Sequence, residues 1–296
     1  MNSTLQIFFH LETLNNIITN NSSLLKNKKL TNAYYNLLKE IELGKKEIIN
    51  PIQIKKILSE VDIKYKYNHH EDVNKFINLF LNEMLKENKG IEINEEINFP
   101  KEKKEKEIFE KFYDNYIKEN NSFLLNLFYG IFKKEIYCLN KHKVSIDFEL
   151  FNSIKIQNQK EENSFENLLK NFQEIKKTEN KIECNICGLN KFSYEKTIIF
   201  HLPKYLILSS ENPITNIQKL NLEINQFSEE KNQENINYEL IGIIGYIGNF
   251  KNGHYISKCQ VSQNNWFYFS DSYFNQIENV SEIFNDKDII FFFEKI

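Results

Sequence analysis

The sequence predicts an α+β protein, with helices in its first part and antiparallel strands in the rest. Two observations carry this. Over the first ~90 residues apolar side chains recur at three- and four-residue spacing, the helical period. From Leu127 onward the texture changes to alternation of apolar and polar residues, broken by Gly, Asn and Ser, the pattern of paired strands. Helices grouped before strands speak against a βαβ alternation.

The elements follow in order. MNSTLQIFFHLETL opens the chain with Leu5, Phe8, Phe9 and Leu11 near helical spacing, and Asn2 or Ser3 is the expected N-cap. TNAYYNLLKEIEL, PIQIKKILSEV and EDVNKFINLFLNEMLKE continue as helices, the last with Asp72 at its start, where an acid suits the dipole. PKEKKEKEIFEKFYDNYIKENN is dense in charge and reads as a solvated helix or connector. EIYCLNKHKVSIDFELFNSIKI alternates like two strands around a polar turn at Asn140–Lys143. SFENLLKNFQEI returns to helix with Ser164 as cap, and KIECNICGLNKFSYEKTIIFHLPKYLILSS returns to strands around a CxxC knuckle. After the polar stretch SEEKNQENIN, the segments YELIGIIGYIG, HYISKCQV, WFYFSDS and DIIFFFEKI read as an antiparallel meander.

Composition narrows the function classes. The 296 residues carry a net charge of −3, so no global field points to nucleic acid or a membrane surface. Every basic residue is Lys, which removes the planar bidentate forks that phosphate clamps use. Four cysteines are too few for a disulfide-stapled domain, and the longest apolar runs are too short to cross a bilayer. The expectation is a soluble intracellular monomer, cytoplasmic or nuclear, with neither nucleic acid nor membrane as partner.

GNFKNGHYISKC is the most informative stretch. Gly248, Asn249, Asn252 and Gly253 mark a tight connection, and His254 begins the next strand directly after a glycine that leaves room beside the imidazole. WFYFSDS returns after a polar turn near Ser262–Asn265, so folding the hairpin brings Ser270 and Asp271 back towards His254. Periodicity leaves open which of the two faces it, because a one-residue slip exchanges the faces. A histidine with an oxygen partner beside a glycine loop is two parts of a nucleophile–His–acid arrangement.

NGHYISKC…NNWFYFSDS resembles the histidine box of the ubiquitin-specific proteases, which reads roughly GGHY…WYxFDDS. Further landmarks come in the family's order. HHEDVNKF is similar to QQDAxEF, and CLNKHKVSIDFELF to CxxCGxxSxxFExF. SFENLLKNF with CNIC, LPKYLIL, and the final DIIFFFEKI resemble later family segments. The opening MNSTLQ matches the second half of the family's nucleophile box, NxGNTCYMNSxLQ. The resemblance implies a papain-like cysteine protease fold: a helical thumb over about 1–125, fingers over 130–156 and 180–200, and a palm from the remainder of one catalytic domain.

It also implies roles. His254 would be the base, with Ser270 or Asp271 orienting it; a Ser270 hydroxyl would accept its Nδ1–H. Asp72, Phe76, Gly253 and Tyr255 would border the channel for the ubiquitin tail. The nucleophilic cysteine would lie two positions before Met1, upstream of this chain. Cys259 is no substitute, because five residues along a strand put it on the opposite face from His254.

There are departures from the family pattern. Ser270 stands where an acid is usual, Lys75 where the family has Glu, and LSSEN where it has HLKRF. In the metal-binding knuckles Cys138, Cys184 and Cys187 remain, Lys141 replaces the fourth cysteine, and His142 completes a possible Cys₃His zinc set. No other cofactor is implied. Two functions follow. One is a deubiquitinase that cleaves (iso)peptide bonds after the C-terminal glycine of ubiquitin, with its thiol upstream of this sequence. The other is a pseudoprotease that binds ubiquitin, or scaffolds, without cleaving.

Overall fold

In the computed structural model the described residues are all except 26, 46–47, 68–70, 92–96, 98, 158–163, 189, 211–220, 224–235, 249–252, 280–281 and 285–287. His69, His70 and the loop residues Asn249 and Asn252 therefore lie outside them, as does most of SEEKNQENIN. The chain divides into two compact units. One holds Met1–Gly90 and Leu240–Phe292; the other holds Ile91–Asn212, Ile217–Glu239 and Phe293–Ile296.

The first unit begins with helices α1 (Asn2–Phe8), α2 (Glu12–Asn20), α3 (Lys29–Leu43), α4 (Ile52–Val61) and α5 (Val73–Glu87). The opening segment is two helices rather than one, because the chain turns at Phe9–His10. Neither Asn2 nor Ser3 caps α1: Met1 is the N-cap position and makes no side-chain cap bond. Asp72 does cap α5, its Oδ1 accepting the Lys75 N–H at 3.0 Å. The apolar faces meet in an aromatic core in which Phe8, Tyr34, Phe76 and Phe80 are all buried.

Most of strand β8 (Asn237–Gly248) follows in this unit. With it are β9 (Gly253–Ser262), β10 (Asn265–Ser270), β11 (Tyr273–Ile277) and the first part of β12 (Asp288–Lys295). They lie in the order β11-β10-β9-β8-β12, with β8–β9, β9–β10 and β10–β11 antiparallel. The meander thus has one more strand than expected: the chain turns at Asp271–Ser272 and pairs back as β11. Gly242 on β8 admits α1 closely, since a Cβ there would press into the Ile7 side chain.

The second unit contains α6 (Lys103–Phe112), α7 (Phe123–Phe128) and α8 (Phe165–Phe172), the last capped by Ser164 as expected. Strands β1 (Gly130–Tyr137), β2 (Lys143–Phe151), β4 (Lys176–Glu183) and β5 (Asn190–His201) form an antiparallel sheet in the order β2-β1-β5-β4. Between them in sequence, β3 (Ile154–Ile156) pairs in parallel with β6 (Tyr205–Ser210), and β7 (Asn221–Glu223) pairs with the start of β8. The charged stretch before Leu127 is the helix of the two expected alternatives, with most of its charged side chains exposed, but one face of it docks. It forms α6 and a π-helical segment Tyr113–Lys118 that bury Phe109, Phe112 and Ile117. Its Glu105 is buried too, because Lys133 at 3.4 Å and Lys143 at 3.5 Å neutralise it. Charge density alone does not show this docked face, since three apolar residues in register are enough to dock a helix.

Candidate active site and metal centre

β9 begins at Gly253, opposite Gly248 of β8, and His254 follows as its second residue, opposite Ile247. A bulge at Asn265/Trp266 shifts the β9–β10 register, and β10 then ends with Ser270 beside the imidazole. Ser270 Oγ lies 3.0 Å from His254 Nε2. Asp271 follows in the left-handed region (φ 51°) and brings Oδ2 to 4.0 Å from the same nitrogen. The pairing is through Nε2 and not Nδ1 as expected. Nε2 is farther from the backbone and reaches across to the end of the neighbouring strand. Both oxygen partners stand beside the imidazole, Ser270 Oγ within hydrogen-bond reach and the Asp271 carboxylate at 4.0 Å.

Asp271 is held from its other side. Asn2 Nδ2, on the first turn of α1, donates to Asp271 Oδ1 at 2.6 Å. The sequence offers Asn2 a capping role and a place in the MNSTLQ match to the nucleophile box, and nothing local ties it to a residue 269 positions away. A cleft of about 300 Å³ opens here, lined by Asn2, Tyr65, Phe76, His254, Tyr255 and Asp271 among others. Two lysines, Lys55 and Lys64, also line it.

The expected channel residues are placed differently from one another. Asp72 spends its carboxylate on capping α5. Phe76 is almost wholly buried against Tyr65 and Phe80 and reaches the cleft only as part of its wall. Tyr255 is hydrogen-bonded by the Val73 backbone, and burial together with the Asp72 charge pushes its phenol above the ordinary range. Gly253 does not leave open room on its Cβ side, for Tyr246 lies there: a Cβ would fall inside the phenol ring. Cys259 is fully buried, and burial pushes its thiol far up, so it is a poor nucleophile.

The second unit carries the metal-ligand cluster. Cys138 directly follows β1, and Lys141 adopts φ 62°, which turns the chain tightly enough for the Cys138 N–H to reach the His142 carbonyl at 3.0 Å. His142 thereby points Nδ1 back at Cys138 Sγ (3.6 Å) and at Cys184 Sγ (3.7 Å), while Cys187 Sγ lies 3.9 Å from Cys138 Sγ. All four ligand atoms fall within 4.8 Å of one another. A tetrahedral zinc with Zn–S near 2.3 Å requires ligand atoms ~3.8 Å apart, so the set fits. Backbone N–H donors of the knuckle, Cys187 first, and then His142 and Cys138 bring the Cys184 thiol down to about 6, the thiolate character a metal ligand needs.

The family model of ubiquitin carboxyl-terminal hydrolases matches residues 1–293. The chain belongs to this family. Among curated relatives it is 21% identical over 316 residues to ubiquitin carboxyl-terminal hydrolase Usp2 of Drosophila melanogaster, covering 100% of this chain and 34% of that protein. It is 25% identical over 245 residues to ubiquitin carboxyl-terminal hydrolase 13 of Saccharomyces cerevisiae, covering 76% of this chain and 30% of that one. The chain thus spans about a third of the length of these relatives. Among solved structures it is similar to Ubp8 in the SAGA DUB module bound to monoubiquitin, with TM-score 0.75, 18% identity, and 100% and 66% of the two chains covered. The same module bound to ubiquitin aldehyde gives TM-score 0.74 and 17% identity, with 100% and 67% covered. These likenesses establish the α+β deubiquitinase fold that the sequence predicts. Among the described residues no helix is long and apolar enough to cross a membrane.

Proposed function

We propose that this chain carries the histidine half of a ubiquitin-specific thiol hydrolase site, completed by a cysteine upstream of Met1. The observation that carries the reading is the contact of His254 Nε2 with Ser270 Oγ at 3.0 Å, with the Asp271 carboxylate behind it, at the edge of the cleft. With Nε2 engaged, Nδ1 is the nitrogen that takes the thiol proton. The resulting thiolate attacks the carbonyl of the terminal ubiquitin glycine, and the imidazolium stabilises it and then protonates the leaving lysine amine. Water deprotonated by the same nitrogen hydrolyses the thioester. Asp72, Phe76, Gly253 and Tyr255 border the path of the tail, and ubiquitin or its conjugates are the partners. Cys138, His142, Cys184 and Cys187 hold a structural zinc that ties the β1–β2 and β4–β5 turns together; it takes no part in the chemistry.

Hydrolysis of ubiquitin bearing a C-terminal fluorophore tests this. The 296-residue chain gives no turnover above its His254→Ala variant, whereas the same chain extended by its upstream codons gives turnover that His254→Ala abolishes. Turnover by the unextended chain overturns the assignment of the nucleophile. A second reading, ubiquitin binding without cleavage, draws support from the buried, unreactive state of Cys259. It prevails if the extended chain binds ubiquitin but releases no fluorophore.

A further inference from the structure

We propose that Asn2 is a positioning residue for His254, acting through Asp271; this rests on reading His254 as the base. Ser270 is neutral, so it can orient the imidazole but cannot balance an imidazolium charge. The negative charge nearest in this arrangement is Asp271, whose Oδ2 stands 4.0 Å from Nε2. At that distance the interaction depends on where the carboxylate points, and Asp271 is poorly constrained by its own surroundings. Its side chain is 56% exposed, and it sits at a two-residue turn with φ 51°, a conformation that L-residues other than Asn and Asp rarely adopt.

Asn2 supplies the missing constraint. Its Nδ2–H bonds Oδ1 at 2.6 Å, which selects one carboxylate rotamer and leaves Oδ2 aimed at the histidine. The chemical type matters. A lysine in this position would neutralise the carboxylate, whereas a neutral amide fixes its direction and adds no charge of its own; the Met1 amino group, which also feels the Asp271 charge, is the same in every variant compared below. α1 also packs on β9 and β10, so the anchor comes from an element already fixed to the strands that carry His254 and Ser270.

The alternative is that Asn2–Asp271 only staples α1 to the β10–β11 turn. The two differ in the spectrum of the imidazole, which can be read on the 296-residue chain without any hydrolysis. In protein labelled with ¹⁵N-histidine, with the His254 signals assigned by His254→Ala, Asn2→Ala is expected to shift the His254 ring nitrogens in the direction that Asp271→Asn shifts them, and by at least half as much. Signals of His10 and His201 staying in place report an intact fold, and Asn2→Ser serves if the alanine variant does not fold. The exchange Asn2→Asp/Asp271→Asn separates the cases. It restores a hydrogen bond across the same gap but moves the charge to the far side, so melting temperature recovers while the His254 signals do not. If Asn2→Ala and Asn2→Ser leave the His254 signals at their wild-type positions, or if the exchange restores them, the proposal is wrong. Failure of the base assignment would show separately, as an extended chain whose turnover survives His254→Ala.

Discussion

Tyr246 occupies the space that a side chain at residue 253 would need: a Cβ built on Gly253 falls within its phenol. The same ring packs 4.8 Å from Tyr255, its partner across β8 and β9. Gly253 is glycine here because of a close approach, not because of a left-handed backbone. Gly253→Ala should therefore destabilise the unit by about 1–3 kcal/mol, the usual cost of overpacking. Tyr246→Ala in the same chain should return most of that loss, since the obstacle is gone. Urea unfolding of the two single variants and the double variant gives the coupling.

Lys258 and Asp288 form a buried ion pair at 2.9 Å, with the Lys258 ammonium also donating to the Ile283 carbonyl at 2.6 Å. Burial draws the ammonium below its ordinary range, and the Asp288 carboxylate opposes that shift. Lys258→Ala leaves an uncompensated buried carboxylate and should cost about 3–5 kcal/mol. Replacing both residues by Met and Leu should cost much less, because no charge is then stranded. Chemical denaturation of both variants checks the difference; equal losses would contradict it.

Glu87, at the end of α5, caps a different helix. Its carboxylate accepts the Leu30 and Thr31 N–H groups at 2.8 Å each and the Thr31 hydroxyl at 2.9 Å, at the start of α3, whose own N-cap Lys28 offers no side-chain acceptor. Glu87→Ala should lower stability by about 1–2 kcal/mol, the range of a lost cap. Glu87→Gln should retain part of it, through an amide oxygen that lacks the charge favoured by the helix dipole. Thermal melts of the two variants rank them.

Protein purified without chelators should carry a single equivalent of zinc, and His142→Ala should lose most of it. The pH dependence follows from Cys184. Its folded-state thiol lies at about 6, below the ordinary thiol value, so the thiolate contributes stability that is fully present above the unfolded thiol's pKa and is lost as pH falls through about 6. Protons compete with the metal for the same sulfur, so zinc retention should fall as the pH is lowered. Metal analysis after equilibration on either side of about pH 6 measures it; zinc content unchanged by His142→Ala would remove His142 from the set.

Much of this was legible in the sequence because it is carried by local pattern. The helical period of VNKFINLFLNEMLKE and the Asp72 cap are recovered in α5, and Ser164 caps α8 through the bond that its position before FENLLKNF implies. The Cys138–His142 and Cys184–Cys187 spacings reappear as one cluster, because a knuckle is a local turn and only the meeting of the two knuckles is tertiary. The docked face of the charged stretch before Leu127 was missed for the opposite reason. Glu105 reads as a solvent group until Lys133 and Lys143, which come from a sheet far along the chain, are brought against it.

By itself, then, the sequence determined the succession of a helical part by a strand-rich part, the histidine hairpin, the four metal-ligand candidates and the family resemblance, all properties of short-range spacing and residue type. Tertiary structure alone decided that Nε2 rather than Nδ1 meets Ser270, that Asp271 stands at ion-pair range, that Asn2 holds Asp271, and that Tyr246 fills the space over Gly253. Each of these depends on a strand register, a bulge or a helix docking. A shift of one residue in any of them moves a side chain to the other face of the sheet, and local pattern cannot resolve a difference that small.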